Sequence, residues 1–122
     1  MKEAKQEFLA SVQKDGCIWA GIILGKDGQP DYHLILLPGE AENVNWEDAN
    51  KFASTAGGEL PTRREQSLLY ANLKEEFTPN WYWSGEPREA GSAWYQHFNG
   101  GYQYWSGTDY KCRAVAVRRV VI

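Results

Sequence analysis

Two cysteines, Cys17 and Cys112, and two histidines, His33 and His97, are the chain's whole stock of thiol and imidazole groups. These are the side chains that most readily serve as nucleophiles, metal ligands or proton carriers near neutral pH. Neither histidine belongs to an H-E-x-x-H pair or stands beside paired cysteines, so a histidine-held metal is not expected. Ser84-Gly85 and Ser106-Gly107 lack the G-x-S-x-G context that exposes a nucleophilic serine. Gly25-Lys26-Asp27-Gly28 lacks the spacing with which backbone amides cradle a phosphate. All three read as turns. Glu86, Glu89 and Asp109 come nearest to an oxygen-ligand set for a hard cation, but a solvated loop is the favoured reading of them.

Aromatic side chains are the abundant resource. Six Trp and seven Tyr help to make 14% of the chain aromatic, more ring surface than a small core hides with every polar edge satisfied. Some rings therefore face a partner. Trp, Tyr and Arg form the desolvated anchors of interfaces, and Trp81, Arg88, Tyr95, His97, Tyr102, Tyr104 and Tyr110, in or near turns, are the candidate binding residues. The net charge of -3 supplies no basic field for nucleic acid. Arg113, Arg118 and Arg119 are divided between strand faces and make no continuous phosphate track.

The 122 residues fit one domain whose core needs no metal or disulfide. Residues 1–12 lack the apolar region of a secretory signal, and no later run is apolar enough to span a bilayer, so cytoplasmic synthesis and reduced thiols are expected. Ala4, Phe8 and Val12 recur at helical spacing ahead of Lys14-Asp15-Gly16, which predicts a short helix stopped by glycine. Residues 17–24 and 31–37 read as two strands joined through Asp27-Gly28, and residues 38–43 as an acidic loop. Asn45 caps a helix whose apolar stripe is Trp46, Ala49, Phe52, Ala53 and Ala56, ended by Gly57-Gly58. Thr62-Arg63-Arg64-Glu65 is a capping box opening a helix to about Leu73. Arg63 and Arg64 read as its solvated first turn. After Phe77-Thr78-Pro79-Asn80 every predicted element is a strand or a turn.

Residues 92–106 read as a hairpin. A two-residue turn at Asn99-Gly100 opposes His97 to Tyr102, Gln96 to Gln103, Tyr95 to Tyr104 and Trp94 to Trp105. Alternation then puts Trp94, Gln96, Phe98, Gln103 and Trp105 on a core-like face, and Ala93, Tyr95, His97, Tyr102 and Tyr104 on the other. A turn at Gly100-Gly101 preserves both sets, whereas a three-residue loop over 99–101 sets Tyr102 and Tyr104 beside Trp94 and Phe98. The tyrosine face suits either recognition or cross-strand stabilisation of a solvent-facing sheet.

The words Tyr82-Trp83-Ser84-Gly85, Ala93-Trp94, Phe98-Asn99-Gly100-Gly101-Tyr102 and Arg113-Ala114-Val115-Ala116-Val117-Arg118 together resemble one family. Upstream, Trp46-Glu47-Asp48-Ala49 and Gly57-Gly58-Glu59-Leu60-Pro61-Thr62-Arg63-Arg64-Glu65 extend the resemblance to residues 45–120. The pattern resembles the Lcl C-terminal-like proteins of bacteria and phages, relatives of the formylglycine-generating-enzyme branch of C-type-lectin-like folds. The resemblance implies an α+β, C-type-lectin-like domain with two central helices and antiparallel strands. Residues 113–120 would be its closing central strand, with the ends at Arg113 and Arg119 solvated and Arg118 paired to a carboxylate. In that arrangement the first and last strands run antiparallel, which keeps Cys17 and Cys112 apart.

Two departures from relatives limit what carries over. Cys17 and Cys112 lie outside any segment matching the catalytic cysteines of the formylglycine-generating enzymes. The calcium-and-sugar words Glu-Pro-Asn and Trp-Asn-Asp are replaced by Glu86-Pro87-Arg88 and by Asn45-Trp46-Glu47-Asp48 at a helix start. The expected function is noncatalytic recognition of a protein partner by a phage-associated protein, without a cofactor, metal or membrane. A calcium-independent glycan or small-ligand binder is the alternative, and an enzyme with an unrecognised site the third reading.

Overall fold

A computed structural model describes residues 2–122, with side chains from Glu3 onward. The fold is mixed α+β. Among the described residues it comprises helices α1 (Lys2–Val12), α2 (Trp46–Thr55) and α3 (Arg63–Leu73), with strands β1 (Ile18–Ile23), β2 (Tyr32–Leu36), β3 (Ala41–Val44), β4 (Trp81–Glu89), β5 (Ser92–His97), β6 (Gln103–Gly107), β7 (Cys112–Ala114) and β8 (Val117–Val121). The strands form two sheets, ordered β1-β2-β8 and β3-β7-β4-β5-β6. None of the described helices is long and apolar enough to cross a membrane.

Local chemistry sets most of the boundaries. Asp27 and Gly28 both adopt positive φ, at 54° and 82°, and form the centre of a tight turn closed by the Gln29 N–H on Lys26 O at 3.0 Å, within the longer loop over residues 24–31 that joins β1 to β2. The Asn45 side chain accepts the Asp48 N–H at 2.8 Å. Thr62 and Glu65 form the reciprocal capping box that starts α3. Ala49 and Ala53 are the buried stripe of α2, while Ala56, expected to extend it, is exposed because it already caps the helix end.

Two apolar clusters lie against different faces of the sheets. One gathers Leu34, Leu36, Leu69, Leu73, Phe77, Tyr82, Phe98 and Val117. The other gathers Leu37, Ala49, Ala53, Leu60, Trp83, Ala93, Cys112 and Ala114. Tyr82, Trp83 and Ser84 are consecutive and fully buried, as a strand covered on both faces requires.

Three expectations are corrected here. The acidic loop is partly β3, because Ala41 and Val44 pair with Ala114 and Cys112. Residues 113–120 are not one central strand. β7 lies between β3 and β4, whereas β8 is an edge of the three-stranded sheet, and the chain changes sheets through Val115 and Ala116, both buried. Finally, β1 and β8 each pair antiparallel with β2, so they run the same way as each other. Cys17 and Cys112 are both free thiols, but Cys17 packs against the same cluster that contains Cys112 rather than at an opposite end.

The three C-terminal arginines also differ from expectation. Arg113 pairs with Glu40 and with Glu42, the latter at 3.1 Å. Arg119 pairs with Glu59 and Glu65. Arg118, expected to be the paired one, makes no ion pair among the described residues. Arg118 and Arg119 alternate along β8, and it is Arg119 that takes the face turned toward the start of α3, where Glu65 lies.

Candidate functional site: the aromatic face of the β5–β6 hairpin

The hairpin register matches the parity derived from Asn99-Gly100. Gln96 opposes Gln103, Tyr95 opposes Tyr104 and Trp94 opposes Trp105. The turn itself is longer. His97 N–H donates to Tyr102 O and Gly101 N–H donates to His97 O, at 2.9 and 2.8 Å, so residues 98–101 form a four-residue loop in which Gly101 alone has positive φ. Phe98 leaves the ladder, donates its N–H to Asn80 O and stacks on Phe77 at 4.1 Å. Tyr70 fixes the loop from α3, its hydroxyl donating to Asn99 O at 3.2 Å.

A chain of glutamines holds the other face of the hairpin to α3. Gln66 Nε2 donates to Tyr82 O, Gln96 Nε2 donates to Gln66 O, and Gln103 Nε2 donates to Gln96 Oε1 at 2.7 Å and to Arg63 O at 2.7 Å. Arg63 Nε returns a bond to Gln103 Oε1 at 3.0 Å. Arg63 is thus no solvated first-turn residue: its guanidinium lies over the Trp94 ring at 3.6 Å from the centroid. Trp94 meets Trp105 edge to face at 5.3 Å, and Arg88 covers Trp105 at 3.8 Å. Trp94 and Trp105 are consequently half-buried under arginine, whereas Gln96 and Phe98 alone of the core-like set are buried.

The tyrosine face grades from core to solvent. Ala93 is fully buried in the α2-side cluster, against which Trp81 and Tyr95 pack. Tyr95 stacks on Trp81 at 4.1 Å, leans on Trp83 at 5.5 Å and meets Tyr110 perpendicularly at 5.8 Å. Burial pushes its phenol above the ordinary value. His97 stands edge-on to Trp81 at 4.9 Å and near Tyr102 at 6.0 Å. At the outer end Tyr102, Tyr104 and Tyr110 are 61%, 54% and 44% exposed. Tyr104 stacks on Trp105 at 4.4 Å, so its ring leans over the edge of β6.

Five of the seven candidates, Trp81, Tyr95, His97, Tyr102 and Tyr110, therefore lie in one connected row, while Tyr104 opposes Tyr95 in the ladder but turns its ring onto Trp105. Arg88 does not join it: it lies over Trp105, with Glu89 as its ion partner at 3.3 Å. The carboxylates considered for a cation are likewise apart in role. Glu86 accepts the Arg63 N–H at 2.6 Å, Glu89 pairs with Arg88, and Asp109 lines a separate groove with Trp46. Sequence reasoning missed that Glu86 binds the first turn of α3, and the partner of Arg63 had no local signal.

Cys112, Glu65, His33 and His97 are each engaged in structural contacts. Burial pushes the Cys112 thiol up to about 12, opposite to what a thiolate nucleophile needs. Burial also pushes Glu65 upward, but hydrogen bonds from Arg119, Tyr32 and the Thr62 amide outweigh it and hold the carboxyl below its ordinary value. His33 accepts the Trp19 indole N–H at 3.2 Å. His97 accepts the Asn99 N–H at 3.1 Å. In comparisons by sequence, no family model and no curated protein matches this chain.

Proposed function

We propose that the chain is a noncatalytic recognition module of C-type-lectin-like type, related to the Lcl C-terminal-like proteins, that grips a protein partner with the outer tyrosine row. The observation that carries this reading is the gradient along one face, from Ala93 in the core through Tyr95 and Trp81 to exposed Tyr102, Tyr104 and Tyr110. Rings fixed at their inner end present large amphipathic area with little side-chain entropy left to lose, which is what an interface anchor requires. The commitment of Cys112 and Glu65 to buried structural roles supports the absence of catalysis at those groups. Association with a phage particle follows from the family resemblance alone.

The experiment is quantitative affinity capture from bacterial lysate and from purified phage particles, followed by titration of the purified partner. Tyr102→Ala with Tyr110→Ala should weaken binding at least tenfold while leaving the thermal midpoint within a few degrees. Unchanged affinity in a folded double variant would overturn the reading.

A small-ligand reading has one observation of its own. An open groove of about 760 Å³ between α2 and the turn after β6 is lined by Trp46, Asn50, Ser54 and Asp109. An indole wall with amide, hydroxyl and carboxylate groups suits a sugar ring. Calcium-independent signal on a glycan array that is lost in Trp46→Ala and kept in the tyrosine variant would select this reading.

A further inference from the structure

An asparagine carries a side-chain carbonyl that the backbone nitrogen of the next residue can attack, and the fold restrains most of those in this chain. Asn45 Oδ1 accepts the Asp48 N–H, Asn50 Nδ2 donates to Trp46 O, Asn72 Nδ2 donates to Ala20 O and Asn80 Oδ1 accepts the Trp81 N–H. Asn43 precedes Val44, whose branched Cβ crowds the approach. Asn99 alone is followed by glycine, which has no Cβ in the way and leaves the backbone free to bring its nitrogen round.

The hairpin loop leaves this pair unhindered. Asn99 uses only its main chain, donating its N–H to His97 Nδ1 at 3.1 Å and accepting the Tyr70 hydroxyl at 3.2 Å. Among the described residues neither its side chain nor the Gly100 N–H has a hydrogen-bond partner, and both residues are exposed. Gly100 also serves the tyrosine row. A Cβ there would lie 2.5 Å from Cε1 of Tyr102, so the Tyr102 ring rests in space that a side chain would fill.

We propose that Asn99-Gly100 is a self-modifying site that converts to isoaspartate and thereby releases the outer end of the tyrosine row. The Gly100 nitrogen attacks Asn99 Cγ, the new N–Cγ bond replaces the Cγ–Nδ2 bond, and the side-chain nitrogen leaves as ammonia with the proton that Gly100 gives up. Water then opens the cyclic imide. Opening at Cγ gives aspartate, whereas opening at the original main-chain carbonyl gives isoaspartate, with the chain running through Cβ and Cγ. In the isoaspartyl form the loop over residues 98–101 gains a methylene, and the carbonyl that Tyr70 holds becomes a free carboxylate outside the main chain. The bonds that close the loop, His97 N–H to Tyr102 O and Gly101 N–H to His97 O, then bracket a longer path, and Tyr102 is no longer held against Gly100. The consequence for recognition rests on the reading of the tyrosine row proposed above, but the chemistry and the loosened loop do not.

Timed incubation of the purified chain at neutral and mildly alkaline pH tests the chemistry, with peptide mapping that separates asparaginyl, aspartyl and isoaspartyl forms at each position. Asn99 should convert at least tenfold faster than any other asparagine, because only there is the attacking nitrogen a glycine's, and faster at the higher pH, because the attacking amide must lose its proton. Chromatography then isolates the isoaspartyl protein for amide hydrogen exchange beside fresh wild type and fresh Asn99→Asp, which carries the charge without the methylene. The isoaspartyl form should exchange at least tenfold faster at His97 and Gly101, while Asn99→Asp stays with the wild type. Asn99→Gln, whose longer side chain closes the imide far less readily, should stay unmodified with both amides protected. Conversion at Asn99 no faster than at the other asparagines would overturn the proposal. So would wild-type exchange at both amides in the isoaspartyl form, or exchange in Asn99→Asp as fast as in that form.

Discussion

The Arg119 guanidinium binds both carboxylate oxygens of Glu65, Nε to Oε2 at 2.6 Å and Nη2 to Oε1 at 2.9 Å. Glu65 is fully buried. It also accepts the Tyr32 hydroxyl at 2.6 Å and the Thr62 N–H at 2.8 Å, so one carboxylate ties the start of α3 to β2 and β8. Breaking a buried, hydrogen-bonded pair by neutralising one partner costs about 3–5 kcal/mol. Glu65→Gln should lose stability of that order in denaturant titration at neutral pH.

The same residue sets an acid limit. Its folded pKa lies below the ordinary carboxylate value, so the unfolded chain takes up the proton first as pH falls. The stability contributed by Glu65 is present in full above the unfolded value and is lost as pH drops through it toward the folded one. Thermal midpoints measured from pH 7 down to pH 3 should fall more steeply for the wild type than for Glu65→Gln. A constant difference across that range would refute the assignment.

Phe98 and the outer tyrosines should separate by stability. Phe98 is 1% exposed and packed between Phe77 and Tyr82, and its truncation to Ala should cost about 3–5 kcal/mol. Tyr104→Ala should cost less than about 1 kcal/mol. Trp94→Ala falls between them, because Arg63 and not apolar core covers its ring. Urea titration of the three variants gives the order directly.

Tyr82→Phe deletes one buried oxygen. The Tyr82 hydroxyl donates to Glu40 at 2.8 Å and accepts the Thr78 N–H at 3.0 Å, and burial pushes its pKa up to about 12. Removing it leaves Glu40 with Arg113 alone and the Thr78 N–H without its acceptor, and should cost about 1 kcal/mol, seen as a lower urea midpoint with an unchanged slope.

Cys112 should be silent toward alkylating reagents in the native protein. Its thiol is buried in the α2-side cluster and raised to about 12, so at pH 8 almost none of it is thiolate. Peptide mapping after a timed iodoacetamide pulse should find Cys112 modified only in denaturant.

What the sequence revealed was local. The Asn45 cap, the Thr62–Glu65 capping box and the Asp27-Gly28 turn each depend on residues no more than a few positions apart, and the hairpin register came out as expected because the observed loop over residues 98–101, though two residues longer than the expected turn, is centred on the same Asn99-Gly100 pair. Several of the misses depended on distant partners. Arg119 finds Glu65 from 54 positions away and Arg63 finds Gln103 from 40, distances at which several carboxylates and amides were equally eligible. β3 was hidden because an acidic four-residue strand carries no apolar alternation. Trp94 and Trp105 had the pattern of core residues, yet arginine covers one face of a ring as readily as leucine does.

The passage of the chain from β7 to β8 through buried Val115 and Ala116 also has a mechanical meaning. A pull on the C-terminus first draws β8 off β2, from the Ile122 N–H bonded to Asp31 O inward to Arg119, where the ion pairs to Glu59 and Glu65 must break. At Val117 the load reaches a segment whose neighbours on both sides belong to different sheets. Beyond that point the force cannot be relieved rung by rung, and the two sheets must be drawn apart together. The trace of a single molecule under tension should therefore show two steps, a smaller one as the Arg119–Glu65 pair gives way and β8 leaves β2, then a larger rupture as the two sheets part.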